Sequence, residues 1–188
     1  MQYNRKDFRT EKTFIKDIKF TTTIEKYLWE LFCQRILKKF TYESIDHGTD
    51  NSGDFSERSN HNADYRLKLT IDNKIYDLLL EIKFAPTNKK AVFKVQDLKA
   101  YIKQNANILL FYNQGPENLK KPKHYNIDNH IDLLSRNIKY IYYTLLSPAI
   151  MTTMLNTYKH EKLFFMGNKL SLTVPNEDFS KLFRGKKL

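Results

Sequence analysis

Two alternating runs, separated by the pair Asp72-Asn73, constrain this chain more tightly than any other stretch. From Asp64 to Ile71, Tyr65, Leu67, Leu69 and Ile71 alternate with Asp64, Arg66, Lys68 and Thr70. From Lys74 to Phe84, Tyr76, Leu78, Leu80 and Ile82 alternate with Ile75, Asp77, Leu79, Glu81 and Lys83. Alternation with period two marks strands with one apolar face, and two such runs joined by two polar residues predict a β-hairpin. Asp-Asn is a weaker turn signal than Asn-Gly. A two-residue turn there pairs Tyr65 with Leu80, Leu67 with Leu78 and Leu69 with Tyr76, giving a wholly apolar face suited to burial. A slip by one residue would move Asp64 from Glu81 to Ile82.

The same register sets Asp64 opposite Glu81. Cross-strand partners lie about 4.5–5.5 Å apart at Cβ and point to one side of the sheet, and like charges so placed destabilise it. A divalent cation between them removes that cost, and Mg²⁺ favours one or two carboxylates with water and substrate phosphate. Lys83 projects from the same face, about 7 Å along the strand from Glu81. Two acids and one ammonium group are thus expected to converge.

Around the hairpin, Ile24, Leu28, Leu31, Phe32, Ile36 and Leu37 recur at helical spacing and predict a helix over about 21–40, with Thr21 to Thr23 as N-cap candidates. Residues 43–62, rich in Ser, Asn, Asp and Gly, read as a long polar loop facing substrate. His47 and His61, with Asp50 and Asp54, stand in that loop at no metal-ligand spacing. After Pro86-Thr87-Asn88, the spacing predicts a helix over 92–105, a two-sided central strand over 107–112 and a basic loop over 114–124. A helix near 128–136, a strand at 138–145 and a helix opened by Ser147 and Pro148 follow. A hairpin around Gly167-Asn168 and a helix near 176–183 close the chain. This order describes one α/β domain over 1–188, a mixed sheet flanked by helices, with its core over about 20–146 and a C-terminal extension over 147–188.

Composition narrows the functional classes. The single Cys33 makes neither an internal disulfide nor a zinc site. No stretch reaches the roughly 18–20 apolar residues of a membrane span, and the N-terminus has no apolar signal core, so a cytoplasmic location is expected. The formal net charge is +11, and between Lys83 and Tyr125 nine lysines face only Asp97 and Glu117. Lys89, Lys90, Lys94, Lys99 and Lys103 follow the hairpin directly, and Lys120, Lys121 and Lys123 follow the next strand. Such a concentration suits a polyanionic partner, with these lysines on backbone phosphates. Trp29, Tyr27 and Phe32 read as core residues. Tyr140 and Tyr142 read as sheet residues sharing a face.

Ala63-Asp64, sixteen intervening residues and Glu81-Ile82-Lys83 together resemble the PD-(D/E)xK nuclease motif, with Ala63 where that motif has Pro. The resemblance covers about residues 20–112. Glu25, on the preceding helix, matches the place where many members carry an additional acid of the metal shell. Gln96 and Tyr101, on the following helix, resemble a Gln-x-x-x-Tyr element with one residue more between them.

The resemblance implies a restriction-endonuclease-like core and a Mg²⁺-dependent nuclease acting on DNA as an endonuclease, with Mn²⁺ as a substitute ion. Asp64, Glu81 and the Ile82 carbonyl would hold the metal, and Lys83 would orient the attacking water and stabilise the transition state. Glu25 and Gln96 would complete the catalytic set. Many members pair as homodimers. A non-catalytic nucleic-acid-binding protein of the same fold, and a nuclease for RNA or branched DNA, stand as alternatives.

Overall fold

The computed structural model describes residues 11–47, 63–120, 126–163 and 169–188. In chain order the elements are α1 (Glu11–Arg35), β1 (Thr41–Asp46), β2 (Tyr65–Ile71), β3 (Lys74–Ala85), β4 (Lys90–Lys94), α2 (Val95–Lys103) and β5 (Asn107–Asn113). There follow α3 (Ile127–Asn137), β6 (Ile141–Leu146), α4 (Pro148–Thr157), β7 (His160–Leu163), β8 (Lys169–Pro175), α5 (Asn176–Lys181) and β9 (Lys186–Lys187). The architecture is mixed α/β. A six-stranded sheet in the order β1-β2-β3-β5-β6-β9 is flanked by helices, and a three-stranded sheet has the order β4-β8-β7. In the large sheet β3 and β5 are parallel and the other neighbours antiparallel.

The hairpin takes the register its alternation predicts, with Tyr65 opposite Leu80 and Leu69 opposite Tyr76. Asp72 and Asn73 have φ of 49° and 62°, the left-handed pair that a two-residue type I′ turn requires. Tyr65, Leu67, Leu80 and Ile82 are buried against Ile24, Leu28 and Trp29 of α1 and Leu134 of α3. The far half of the hairpin extends beyond these helices, so Tyr76 is exposed although its face is apolar.

The central strand is two-sided. Leu109 and Phe111 enter the core under α1 and α3, while Ile108, Leu110 and Tyr112 enter the opposite one. That second core also takes Met151 and Met154 of α4, Leu172 and Val174 of β8 and Phe179 of α5. Elements of the C-terminal extension, α4, β8 and α5, therefore cover this side of the sheet together with β4 and α2.

Several expectations are corrected. The first helix begins at Glu11, and Thr21 and Thr23 lie inside it, their hydroxyls donating to the Asp17 and Lys19 carbonyls one turn back. Leu37–Lys39 form a separate 3-10 turn. Residues 43–46, expected in a loop, belong to β1, an edge strand exposed along its whole length. Such a strand buries neither face, so no apolar alternation announces it. Residues 92–94, expected to open a helix, form the end of β4 because they pair with Ser171–Thr173 of β8. Residues 138–140 make a 3-10 turn ahead of β6, which removes Tyr140 from the strand.

The remainder of the polar loop, 48–62, lies outside the described residues, as do Lys121, Lys123 and the Gly167-Asn168 turn. The strands flanking that turn do pair, Leu163 opposite Lys169. Ser147 caps α4 as expected, accepting from the Ile150 N–H. No helix among the described residues is long and apolar enough to cross a membrane.

Candidate active site

The site is built where β2 stops and β3 continues. Tyr65–Leu80 is the last paired rung, and β3 runs five residues further, to Ala85. Along that stretch β5 pairs with the other edge of β3, leaving the N–H groups of Ile82 and Phe84 without a strand partner on the β2 side. Two carboxylates take them. The Ile82 N–H donates to Asp64 Oδ2 at 2.7 Å, and the Phe84 N–H donates to Glu25 Oε1 at 3.1 Å. In a strand the N–H and C=O of one residue point to the same edge, so the Ile82 carbonyl is directed to the side that holds Asp64.

Each element fixes one acid. The Asp64 carbonyl accepts from the His47 N–H at 2.8 Å, tying this residue to the end of β1. Glu25 follows Ile24, whose burial against the sheet turns the next helical position toward the β3 edge. Glu81 lies on the opposite face of β3 from Leu80 and Ile82 and is buried. Its Oε1 accepts from Lys83 Nζ, two residues along the same face. Asp64, Glu81, Lys83 and Glu25 line a common cleft of about 40 Å³, with Thr22 and Lys26 at its α1 side.

The electrostatics are those of crowded acids under one lysine. Burial, then the Glu81 charge, hold Asp64 well above the ordinary carboxylate range, and Lys83 and the Ile82 N–H only partly offset them. Desolvation pulls Lys83 down, but Glu81, Tyr101, Glu25 and Asp64 together outweigh it and raise this ammonium well above its usual value. Lys83 is therefore charged at neutral pH. Arg66 does not enter the cleft, since its guanidinium makes a two-pronged pair with Asp77 at 2.9 and 2.6 Å.

Of Gln96 and Tyr101, the two residues of the following helix that the resemblance singles out, only Tyr101 comes near the cleft acids. Gln96 is exposed on the first turn of α2 and does not line the cleft. Tyr101 is buried, with its hydroxyl in electrostatic reach of Glu81; burial is the main cause that raises its phenol far above the normal range, and the Glu81 charge adds to it. The usable signal was the lone aromatic at that point of the apolar stripe of α2, one turn beyond Leu98. Its hydroxyl needs a partner once the ring is buried.

The lysines divide into two groups. Lys89, Lys90, Lys99, Lys103 and Lys120 are exposed, and none lines the acidic cleft. Lys94 is partly buried where β4 meets α2 and pairs with Asp97 at 3.7 Å. Burial lowers its pKa, and the neighbouring charges of Lys169 and Lys83 lower it further against Asp97. Lys169, at the start of β8, carried no sequence signal; the antiparallel pairing of β4 with β8 brings it within electrostatic range of Lys94.

The donor set suits one hard cation. Asp64, Glu81 and the Ile82 carbonyl supply oxygen ligands only, and negative charge is in excess at Asp64. Among the described residues, no three His, Cys, Asp or Glu side chains form a metal-holding group. Two carboxylates are the complement Mg²⁺ takes when water and substrate phosphate supply the remainder.

No family model and no curated protein matches the chain. Among solved structures, a nuclease from a fusselovirus is similar over 94% of this chain and 88% of that chain, at 12% identity and a TM-score of 0.37.

Proposed function

We propose that the chain is a divalent-metal-dependent nuclease that hydrolyses phosphodiester bonds in DNA as an endonuclease. The observation that supports this reading best is the convergence of Asp64, Glu81 and the charged Lys83 on one cleft at the free edge of β3. Asp64, Glu81 and the Ile82 carbonyl would hold Mg²⁺, or Mn²⁺ in its place. When bound, the ion would supply Lewis-acid stabilisation of phosphate charge and lower the pKa of a bound water.

The chain's own groups perform the remaining tasks. Lys83 carries a fixed positive charge beside Glu81, placed to meet the negative charge that builds on the phosphoryl oxygens and to orient an attacking water. Tyr101, whose hydroxyl is in electrostatic reach of Glu81, would steady that carboxylate by a hydrogen bond. Asp64 is held by the Ile82 N–H in the same way. Glu25, on the Phe84 N–H, adds negative charge one strand repeat away and would serve an outer metal shell. Lys94 and Lys169 extend positive potential from Lys83 toward the three-stranded sheet and, with Lys89, Lys90, Lys99, Lys103 and Lys120, would track the phosphate backbone.

The decisive experiment is incubation of the protein with circular duplex DNA, with and without Mg²⁺ or Mn²⁺, beside Glu81→Gln and Lys83→Ala. Nicking that needs the ion and is abolished in both variants is expected. Nicking at wild-type rate in either variant overturns the assignment. Binding without nicking by the wild type would instead favour a non-catalytic nucleic-acid-binding protein. Single-stranded, branched and RNA substrates in the same assay separate the remaining substrate classes.

A further inference from the structure

Lys83 and Glu81 stand two residues apart on one face of β3, and Lys83 Nζ donates to Glu81 Oε1. Glu81 is also one of the carboxylates that would hold the metal ion. We propose that the Lys83 ammonium group and a divalent cation compete for Glu81: without the ion the ammonium group holds the carboxylate, and ion entry releases it to meet the phosphate. The inference rests on the metal-dependent reading of the cleft, and its test reads ion binding and the Lys83 ammonium group, not cleavage.

Access gives the first argument. The Glu81 side chain is only 6% exposed, and the small cleft it lines, about 40 Å³, is lined by Lys83 too. An ion that reaches Glu81 through this cleft therefore arrives beside the ammonium group. Charge gives the second. A dication and an ammonium group on one carboxylate repel each other, and more strongly in a buried cleft than in water. Glu81 holds either cation well, but not both at once.

Mobility gives the third argument. The backbone of both residues is fixed by parallel pairing, Glu81 opposite Ile108 and Lys83 opposite Leu110. The Lys83 side chain, by contrast, is 37% exposed and carries its charge on a flexible four-carbon stem. Of the two partners, the ammonium group is the one that moves without disturbing the sheet. It stays in the site when it does, because the charges of Glu25 and Asp64 also act on it. The order of events follows: the ion enters first, and the ammonium group that meets the phosphate becomes available only in the loaded cleft.

Two measurements on the full-length protein without DNA test this. Titration calorimetry with Mn²⁺, an ion that carboxylate and carbonyl oxygens suit as they do Mg²⁺, compares the wild type with Lys83→Met and Lys83→Arg. Lys83→Met should bind Mn²⁺ at least tenfold tighter. Arginine keeps the charge and grips a carboxylate through two N–H groups, so Lys83→Arg should bind several-fold more weakly than the wild type. Removing the cation from a buried carboxylate costs stability, so the second measurement uses the wild type. In the NMR spectrum of protein labelled with ¹⁵N-lysine, the Lys83 ammonium signal, identified by its absence from Lys83→Arg, should be lost to water exchange as Mg²⁺ saturates the site. A signal unchanged at saturation, a Lys83→Met affinity equal to that of the wild type, or a Lys83→Arg affinity equal to it overturns the inference. Ion-dependent nicking with an unmoved Lys83 signal leaves the nuclease reading standing and ends this inference alone. Absence of ion binding in all three proteins overturns both.

Discussion

Asp64 and Glu81 lie just beyond the last paired rung of the hairpin and line one cleft, and the Glu81 charge makes Asp64 costlier to ionise. The protein keeps them together with an N–H on Asp64 and an ammonium group on Glu81, and these contacts do not fully compensate, since Asp64 retains a raised pKa. Such a site is destabilising in the metal-free chain.

The pH dependence of stability follows. Asp64 binds its proton more tightly folded than unfolded, so folding takes up a proton between the ordinary value of 3.8 and the higher folded one. Metal-free stability therefore falls as pH rises through that interval and stays lower above it. Asp64→Asn, which can still accept from the Ile82 N–H, should remove this part of the slope and raise the melting temperature at pH 7. A gain of about 1 kcal/mol reads as about 2–4 °C in a chain of this size. At pH 3 the two proteins should melt alike. Mg²⁺ should raise the wild-type transition and leave that of the variant nearly unmoved, as differential scanning calorimetry can measure.

Tyr101 is a positioning residue in this scheme, acting through Glu81. Tyr101→Phe keeps the ring that packs in the core and loses only the hydroxyl. A hydrogen bond to a charged group is worth about 1.5–3 kcal/mol, so kcat should fall by about tenfold or more with KM little changed. A merely structural tyrosine would leave both constants alone in the phenylalanine variant. Steady-state kinetics on a defined duplex separate the two outcomes.

The hairpin and the facing acids were legible because turn length and alternation fix register locally, and register fixes which side chains share a face. Glu25 could be placed because a single helix face decides its direction. The resemblance singles out Tyr101 only beside Gln96, with no contact assigned to it, and nothing in the sequence singles out Lys169. Tyr101 reads as one more apolar residue of an amphipathic stripe, and its hydroxyl gains meaning only from what lies across the core. Lys169 depends on β4 pairing with a strand some eighty residues later. That pairing also turned Val92–Lys94 from helix to strand, since long-range hydrogen bonds override local spacing. β1 escaped notice because a solvated edge strand need carry no apolar pattern.

Lys94 and Lys169 offer a prediction that surface lysines do not. If they lie on the path of a phosphate backbone, Lys94→Gln and Lys169→Gln should each lower the slope of log K against log salt by about 1. Binding should weaken by a similar factor on every DNA sequence, because phosphate contacts carry no base information. Fluorescence anisotropy across a salt series, with catalysis blocked by omitting metal, measures the slope. An unchanged slope in both variants would remove the three-stranded sheet from the binding path.

The C-terminal segment is locked to the large sheet through Tyr112, and Gly185 is the point of closest approach. Tyr112 is fully buried, packs its ring on Phe179 and Tyr142 at 5.3 and 6.0 Å, and bonds Ser180 Oγ through its hydroxyl at 2.8 Å. A Cβ on Gly185 would overlap that hydroxyl oxygen and lie 3.0 Å from the Phe179 carbonyl. The ring cannot swing away, and the backbone is held by the Gly185 N–H on the same carbonyl at 2.8 Å. Overpacking of this kind costs about 1–3 kcal/mol, so Gly185→Ala should lower the melting temperature by several degrees without touching the acidic cleft. Tyr112→Phe loses the Ser180 bond and removes the closest overlap, leaving the ring Cζ 2.9 Å from the new Cβ, so it relieves the clash in part. The double variant should therefore be more stable than the sum of the two single losses, a coupling that a thermodynamic cycle measures directly. Strict additivity would place the clash elsewhere and detach the C-terminal strand from Tyr112.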